Sequence, residues 1–578
     1  MSKSPVSRFA YAMSDLGIRR SLFPRSHDHK TTMSAGLLYP ILVDEVLPGD
    51  TYSVDTSCLV RMSTPIHPVM DNCYLDTYFF FVPNRIIWDH WKEFMGESPE
   101  DPYINPIEYS VPMLTNEASH ARGDIGIPPK SILDYMGVPS RSIPNEVSQL
   151  PVRAFCKIWN EWFRDQNLQH AIDVPTDDSD LPFSALVDMI GDYDRGYMWN
   201  GNEEGSDAYI TNAAHGGDLP PVNKYHDYFT SCLLAPQKGN PVPIPLSGFA
   251  PVYANNLIDN VNYDTPIRII GDSGFDAEGV LAASGGVLTY DPQASVDGQF
   301  DAYFENLGAD LSNIAGVYST INDLRYAFQL QKFLEADNRG GTRYREILKQ
   351  HFDVTSPDAS QQIPQFLGGK RIDINISQVL QTSATDDISP QGNTAAYSLT
   401  TDHSQSFTFS STEHGWIIGV ACIRTDHTYA QGIERFWSKK NKFNFYFPEF
   451  ATICEQPVYG RELFIGNNDG EGGYSPDDYN RIFGYQEAWA EYRYKPNRIS
   501  GEFRPQYPQS LDIWHYGDNY ESTPYLSDEW IRETRKNIDR TLAVSSDLAD
   551  QFICDFYFKM DTVRPMPVYS IPGLADHH

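Results

Sequence analysis

Positive charge is what this 578-residue sequence has least of: 44 Lys and Arg stand against 77 Asp and Glu, a net charge of −33. Overall attraction to nucleic acid or to an anionic membrane is thereby excluded as an organising force, and any such contact must be local. Cysteine is scarce as well. The seven (Cys58, Cys73, Cys156, Cys232, Cys422, Cys454 and Cys554) are widely spaced and never form a CxxC pair. That argues against a disulfide framework or a zinc knuckle and for small buried apolar residues. Long apolar runs are missing too. The stretch around Tyr78 and Val82 falls far below the roughly 20 residues of a membrane helix, so no membrane insertion is expected. The opening MSKSPVSRFAYAMSDLGIRRSLF scatters charge and has no continuous apolar core; it does not read as a secretory signal and points to synthesis in a cytoplasm.

Catalytic signatures are equally sparse. No P-loop, HExxH motif, EF-hand loop or dinucleotide-binding glycine motif is present, which removes the usual supports for phosphoryl transfer and zinc hydrolysis. Gly271-Asp272-Ser273-Gly274 and Ala213-Ala214-His215 imitate a chymotrypsin-like Ser and His in the right order. Phe275 follows, however, and 58 residues between His215 and Ser273 cannot build the two barrels that unite such a pair. No catalytic, cofactor-binding or metal-binding residue is expected.

What is present is an aromatic, foldable chain: 41% of residues are apolar, with 35 Tyr and 31 Phe, too many for a disordered polymer. Charge is unevenly spread. Residues 1–30 carry a net +4 (Lys3, Arg8, Arg19, Arg20, Arg25 and Lys30 against Asp15 and Asp28), whereas residues 171–220 carry −10 and residues 239–310 carry −9. Both acidic stretches are rich in Gly, Asp, Asn and Pro and read as long surface loops or a small inserted β subdomain. Between them, period-two patterns suited to half-buried strands recur at Tyr52, Val54, Cys58 and Val60; Ile372, Ile374 and Ile376; Phe407 and Phe409; Phe443, Phe445 and Phe447; and Phe552, Cys554, Phe556 and Phe558. Three helices are expected. One is capped by Asn84, with Ile87, Trp88, Trp91, Phe94 and Met95 on its face; a second bears Val152, Phe155, Cys156, Trp159, Trp162 and Phe163. A third starts with a capping box at Thr320 and Asp323, ahead of Leu324, Phe328 and Leu334. Strands at the start, middle and end of the chain, with large insertions between them, predict a mainly β, antiparallel sandwich: a basic arm over 1–30 and a single domain over 31–578.

Two segments interleave bases with aromatics: RFWSKKNKF, with Arg435, Lys439 and Lys440, and YRYKPNRI, with Arg493, Lys495 and Arg498. Such segments track phosphates while stacking unpaired bases; a solvated strand face or a set of intersubunit ion pairs explains them equally well. His414 and His226 sit beside aromatics and are expected to be hydrogen-bonded core residues.

Six ordered stretches carry a likeness to a known family: YLDTYFFFVPNRIIW (74–88), NEWFRDQNLQ (160–169), KYHDYFTSCL with PQKG (224–239), TEHGWIIG (412–419), FGYQEAWAEYRYKPNRISGEFR (483–504) and MPVYSIPGLADH (566–577). Together they resemble the major capsid protein of microviruses, in the gokushovirus branch, over nearly the whole chain. Leu234-Ala235 in place of Pro-Trp, Asn497 in place of Ser, and the final ADHH are small departures. The resemblance implies an eight-stranded antiparallel jelly roll of viral capsid type, with large loop insertions and a few short helices, assembling as a T=1 icosahedral shell around circular single-stranded DNA in a bacterial virus. It implies no enzyme activity. It also implies further partners: a small basic DNA-binding protein, minor virion proteins and a host surface receptor, the last met by the insertion at 239–310 as a three-fold protrusion. The DNA contacts are then expected at Lys3, Arg8, Arg19, Arg20, Arg25, Lys30, Arg435, Lys439, Lys440, Arg493, Lys495 and Arg498. A secreted polysaccharide-active β enzyme or a carbohydrate-binding module is the competing class, and it lacks an export signal.

Overall fold

A computed structural model describes residues 20–97, 109–115, 127, 129–139, 146–182, 213–242, 321–380, 382, 394–465, 479–544 and 548–569, together with the backbone of short strands between 252 and 309. The chain divides into two compact units, one of residues 1–236 and 338–578 and the other of Gln237–Asp337.

The larger unit is a sandwich whose strands follow from alternation. Along β4 (Thr51–Met62) the side chains of Tyr52, Val54, Cys58 and Val60 are buried while Ser53 and Arg61 are exposed. Strand β13 (Phe552–Arg564) repeats the pattern with Phe552, Cys554, Phe556 and Phe558 inward. One antiparallel sheet runs in the order β1 (Ser21–Pro24), β13, β4, β9 (Thr400–Ser410), with β2 (His27–Met33) also on β13. The other runs β6 (Gln365–Asp373), β5 (Cys73–Pro83), β10 (Gly415–Thr425), β3 (Tyr39–Val46). β1 and β2 lie end to end along β13. Taken as one bent strand, they make the spatial orders first-eighth-third-sixth and fifth-fourth-seventh-second, which is the connectivity of a jelly roll.

The two sheets meet through rings. Phe79 and Phe81 of β5 pack on Phe407 and Phe409 of β9, with centroids 5.2 and 4.7 Å apart, a favourable aromatic spacing. Strand β5 breaks the alternation because both of its faces are covered: Phe80 turns the other way, onto Trp162 at 5.4 Å. The expected second helix supplies that cover. It is α1 (Leu150–Ile158), continued by a π turn at Trp159–Phe163, with Val152, Phe155, Cys156 and Trp159 fully buried. A buried carboxylate locks the outer side of this sheet: Asp76 on β5 receives Arg371, Arg424 and the Tyr225 hydroxyl.

The first expected helix is broken. Asn84–Ile86 is a 3-10 turn following Pro83, Trp91–Phe94 is a single α turn, and the Asn84 side chain is buried without capping either. The backbone carbonyl of Asn84 accepts from the backbone N–H groups of Ile87 and Trp88 instead, so tertiary burial of Ile87 and Trp88 outranks helix continuation. The third helix, α2 (Ile321–Gly340), forms, with Thr320 outside the described residues; Leu324 and Leu334 are half-buried, but Phe328 is exposed. Six of the seven cysteines are buried free thiols and Cys454 is half-buried. Helix α3 (Tyr344–Phe352) follows α2 in the chain. A two-stranded hairpin, β7 (Ile376–Leu380) and β8 (Thr394–Ser398), stands as a sheet of its own.

The smaller unit holds most of α2, a four-stranded antiparallel sheet of Val287–Pro292, Gly279–Ser284, Arg268–Gly271 and Ala302–Phe304, and a pair formed by Val252–Ala254 and Leu307–Ala309. These strands fall inside the acidic stretch 239–310. Apart from residues 239–242, the rest of that stretch, Ser273 and its neighbours included, lies outside the described residues, as does 183–212 of the other acidic stretch.

Candidate nucleic-acid interface

The two basic, aromatic segments, at 435–443 and 492–499 of the chain, converge on one cavity of about 890 Å³ in the larger unit. Beneath it sits a second, smaller core of Phe229, Val458, Leu463, Phe483 and Trp530, framed by the hairpin β11 (Glu455–Tyr459) and β12 (Ile482–Glu487). Trp489 fixes the second segment upon the first. It adopts a left-handed φ of 67°, unfavourable for a bulky residue, and two hydrogen bonds hold it there: its backbone N–H to Gln456 Oε1 and its indole N–H to the Phe450 carbonyl, both at 3.0 Å.

The first segment is not the strand that its Phe443, Phe445, Phe447 periodicity predicts. Three 3-10 turns, Arg435–Ser438, Lys442–Asn444 and Pro448–Phe450, divide it. Asn444 Oδ1 accepts from the backbone of Lys440 and Asn441, and no ladder partner exists among the described residues. Local side-chain bonding therefore displaces the sheet. The consequence is exposure: Trp437 is 70% and Phe443 63% exposed, with Phe445, Tyr446, Phe447, Tyr492 and Tyr494 also open to solvent.

The expected cations divide into two sets. Inside the cavity, Lys439 is nearly buried; it pairs with Glu491 at 3.1 Å and lies 4.1 Å over the Tyr492 ring. Arg435 donates to the Pro457 carbonyl at 2.8 Å and faces Glu462 at 3.6 Å. Burial pushes the Glu462 carboxyl up from its ordinary range, against the pull of Arg435. At the rim, Lys495 and Arg498 share Glu434, and Arg493 pairs with Glu487. Lys440 is exposed, and Lys442 lies 5.0 Å over the Phe443 ring; neither has a carboxylate partner among the described residues. The interior is thus neutralised and aromatic, and the uncompensated positive charge lies on the outer turn.

The N-terminal cations are placed differently. Lys3, Arg8 and Arg19 lie outside the described residues. Arg20 donates to Thr51 Oγ1 at 3.1 Å, Arg25 grips Asp44 through two hydrogen bonds, and Lys30 pairs with Asp28 and Asp555. From Ser21 onward this stretch is part of the first sheet, and the charges of Arg25 and Lys30 are met within the chain. His215 occupies a 3-10 turn at Ala213–His215. His414 is half-buried, edge-on to Trp91 at 5.5 Å. His226, expected in the core, is exposed, because Tyr225 takes the inward position onto Asp76.

The buried histidine is one that the sequence did not single out. His427 donates from Nδ1 to Asp518 at 2.8 Å and from Nε2 to Glu533 at 3.0 Å, while Lys224 reaches Asp518 at 3.2 Å. Both ring nitrogens face carboxylates, so the ring is an imidazolium. Burial alone lowers its pKa, but Asp518 and Glu533 outweigh burial and raise it to about 10. No local motif announces four residues spread from position 224 to 533.

Residues 13–574 match the family described as capsid protein (F protein). The chain is 38% identical to capsid protein VP1 of Chlamydia phage 1 over 96% of each chain, and 36% identical to that of Bdellovibrio phage phiMH2K over 96% of this chain and 95% of the relative. It is 39% identical to capsid protein VP1 of Spiroplasma virus 4 over 94% of each. These matches bear out the likeness drawn from the six sequence stretches and the jelly-roll connectivity: the chain belongs to the capsid protein (F protein) family, and its role is structural, in a capsid.

Proposed function

We propose that copies of this chain close into an icosahedral shell in the host cytoplasm around the circular single-stranded DNA of a bacterial virus, without catalysis, and that the face bearing the two basic, aromatic segments turns toward the DNA. One observation carries the orientation. On a chain of net charge −33, Lys440 and Lys442 are left without carboxylate partners among the described residues, beside the six exposed rings of Phe436, Trp437, Phe443, Phe445, Tyr446 and Phe447. Rings that stack bases beside cations that hold phosphates are the means by which single strands bind without sequence preference. The cations of Arg25 and Lys30 are met inside the chain, so any contribution of the basic arm falls to Lys3, Arg8, Arg19 and Arg20, the last bonded only to the Thr51 hydroxyl. A small basic protein of the same virus shares the neutralisation, alongside minor virion proteins. The acidic insertion 239–310 is repelled by phosphate, faces outward and contributes to host attachment.

The test replaces Lys440, Lys442 and Arg498 with Gln and measures DNA per particle after assembly. Particles that form normally and hold less DNA, released at lower salt, are expected. Unchanged DNA content overturns the orientation, and a chain that yields no particles in electron microscopy overturns the shell.

A further inference from the structure

The hairpin of β7 and β8 belongs to neither sheet of the sandwich: its two strands pair only with each other among the described residues. A lone two-stranded hairpin is marginal in water. This one is also apolar where it is open. Val379 is 44%, Leu380 52% and Tyr397 50% exposed, and the register places Val379 and Tyr397 on one face, beside Ala395 and Ser377. Only the base is anchored. Ser398 is buried and donates to the Asn375 carbonyl at 2.9 Å, and Ile376 packs on the main core.

Charge decides what covers it. The ten residues of the two strands, Ile376–Leu380 and Thr394–Ser398, contain no Asp, Glu, Lys, Arg or His, on a chain of net charge −33. DNA phosphate finds no cation there. A two-fold axis sets the residue lying on it against the same residue of the other copy, so a charge there would face its like. An uncharged strand with an edge unpaired among the described residues meets that condition, and antiparallel pairing of a strand with itself is two-fold symmetric.

Resting on the shell reading above, we infer that β7 pairs edge to edge, antiparallel, with β7 of a second copy across a two-fold axis, turning two hairpins into one four-stranded sheet. Gln378, the middle residue of β7, then faces Gln378 of the other copy. This satisfies the open backbone edge and sets Val379 beside Ser377 of the other copy on one face.

Two variants test it. Gln378→Cys particles, oxidised and run without reductant, are expected to give disulfide-linked dimers, since paired strands bring Cα atoms to about 4.5–5.5 Å, within disulfide reach. The pair Val379→Lys with Tyr397→Lys sets like charges across the axis and is expected to lower particle yield about tenfold or more while the soluble chain keeps its unfolding temperature. Undiminished yield from the double variant overturns the inference, as does the absence of dimers from Gln378→Cys particles. If the double variant fails to fold, the cross-link alone decides. Wild-type chain that forms no shells would instead sink the shell reading, so the two failures are distinguishable.

Discussion

The sandwich and the aromatic, basic face use the same residue types to opposite ends. In the sandwich, Phe79, Phe80 and Phe81 are almost wholly buried, Phe79 and Phe81 against rings of β9 and Phe80 against Trp162, and the carboxylate of the same strand, Asp76, is surrounded by two guanidinium groups and a phenol. Across the 434–450 stretch, Trp437, Phe443, Phe445 and Phe447 lie open, and the backbone is tied by short turns rather than a ladder. The difference is one of partners. Where the chain supplies a covering element, aromatics stabilise it; where it does not, they gather as an exposed apolar group that marks an interaction surface.

The comparison is broken most severely in the sandwich. Phe80→Ala removes the ring between β5 and the π turn, and a loss of about 3–5 kcal/mol is expected, read from denaturant midpoints at constant slope. Asp76→Ala leaves the Arg424 guanidinium buried without its carboxylate. A comparable loss of about 3–5 kcal/mol is expected, and Asp76→Ala with Arg424→Met should recover part of it, because the unpaired charge is then gone.

A smaller effect, readable through pH, belongs to the core beneath the face. The His427 pKa rises from 6.5 to about 10 on folding, so the folded chain retains a proton that the unfolded chain releases. The stabilisation is complete below pH 6.5 and is lost as pH rises from 6.5 to about 10. Unfolding temperatures measured from pH 6 to pH 10 should fall across that window, and His427→Gln should flatten the slope. A flat wild-type profile would show that the ring is neutral in the fold.

The sandwich was largely legible because its cause is local. Alternation at Tyr52, Val54, Cys58 and Val60 and at Phe552, Cys554, Phe556 and Phe558 reports a face in contact with a core. Strand β5 gave no such pattern, since both of its faces are covered. The same reasoning failed at Phe443, Phe445 and Phe447: period two describes side chains, whereas a strand also needs a neighbour to bond with, and Asn444 satisfied the backbone first. For the face, the residue types in RFWSKKNKF and YRYKPNRI were visible, but their meeting depends on Trp489 and the hairpin beneath it. The neutralisation of Lys439 by Glu491 and of Lys495 by Glu434 likewise follows from three-dimensional proximity. The ion cluster of Lys224, His427, Asp518 and Glu533 had no local sign at all.

The smallest expected change in stability is at the exposed rings, and it sharpens the contrast most. Trp437→Ala and Phe443→Ala remove side chains that are mostly in water already, so the isolated chain should keep its stability within about 0.5 kcal/mol, against several for Phe80→Ala. Their effect should appear only with a single strand present. Stacking contributes about 1–3 kcal/mol per base, so each substitution should weaken binding of an oligothymidine about 5- to 150-fold with the salt dependence unchanged. Lys440→Gln with Lys442→Gln should do the reverse, lowering the slope of log affinity against log salt by about 1.4 for two phosphates on a single strand. Fluorescence anisotropy at several salt concentrations separates the two outcomes. If the ring variants lose stability instead, the rings are packing residues after all and the two regions do not differ in kind.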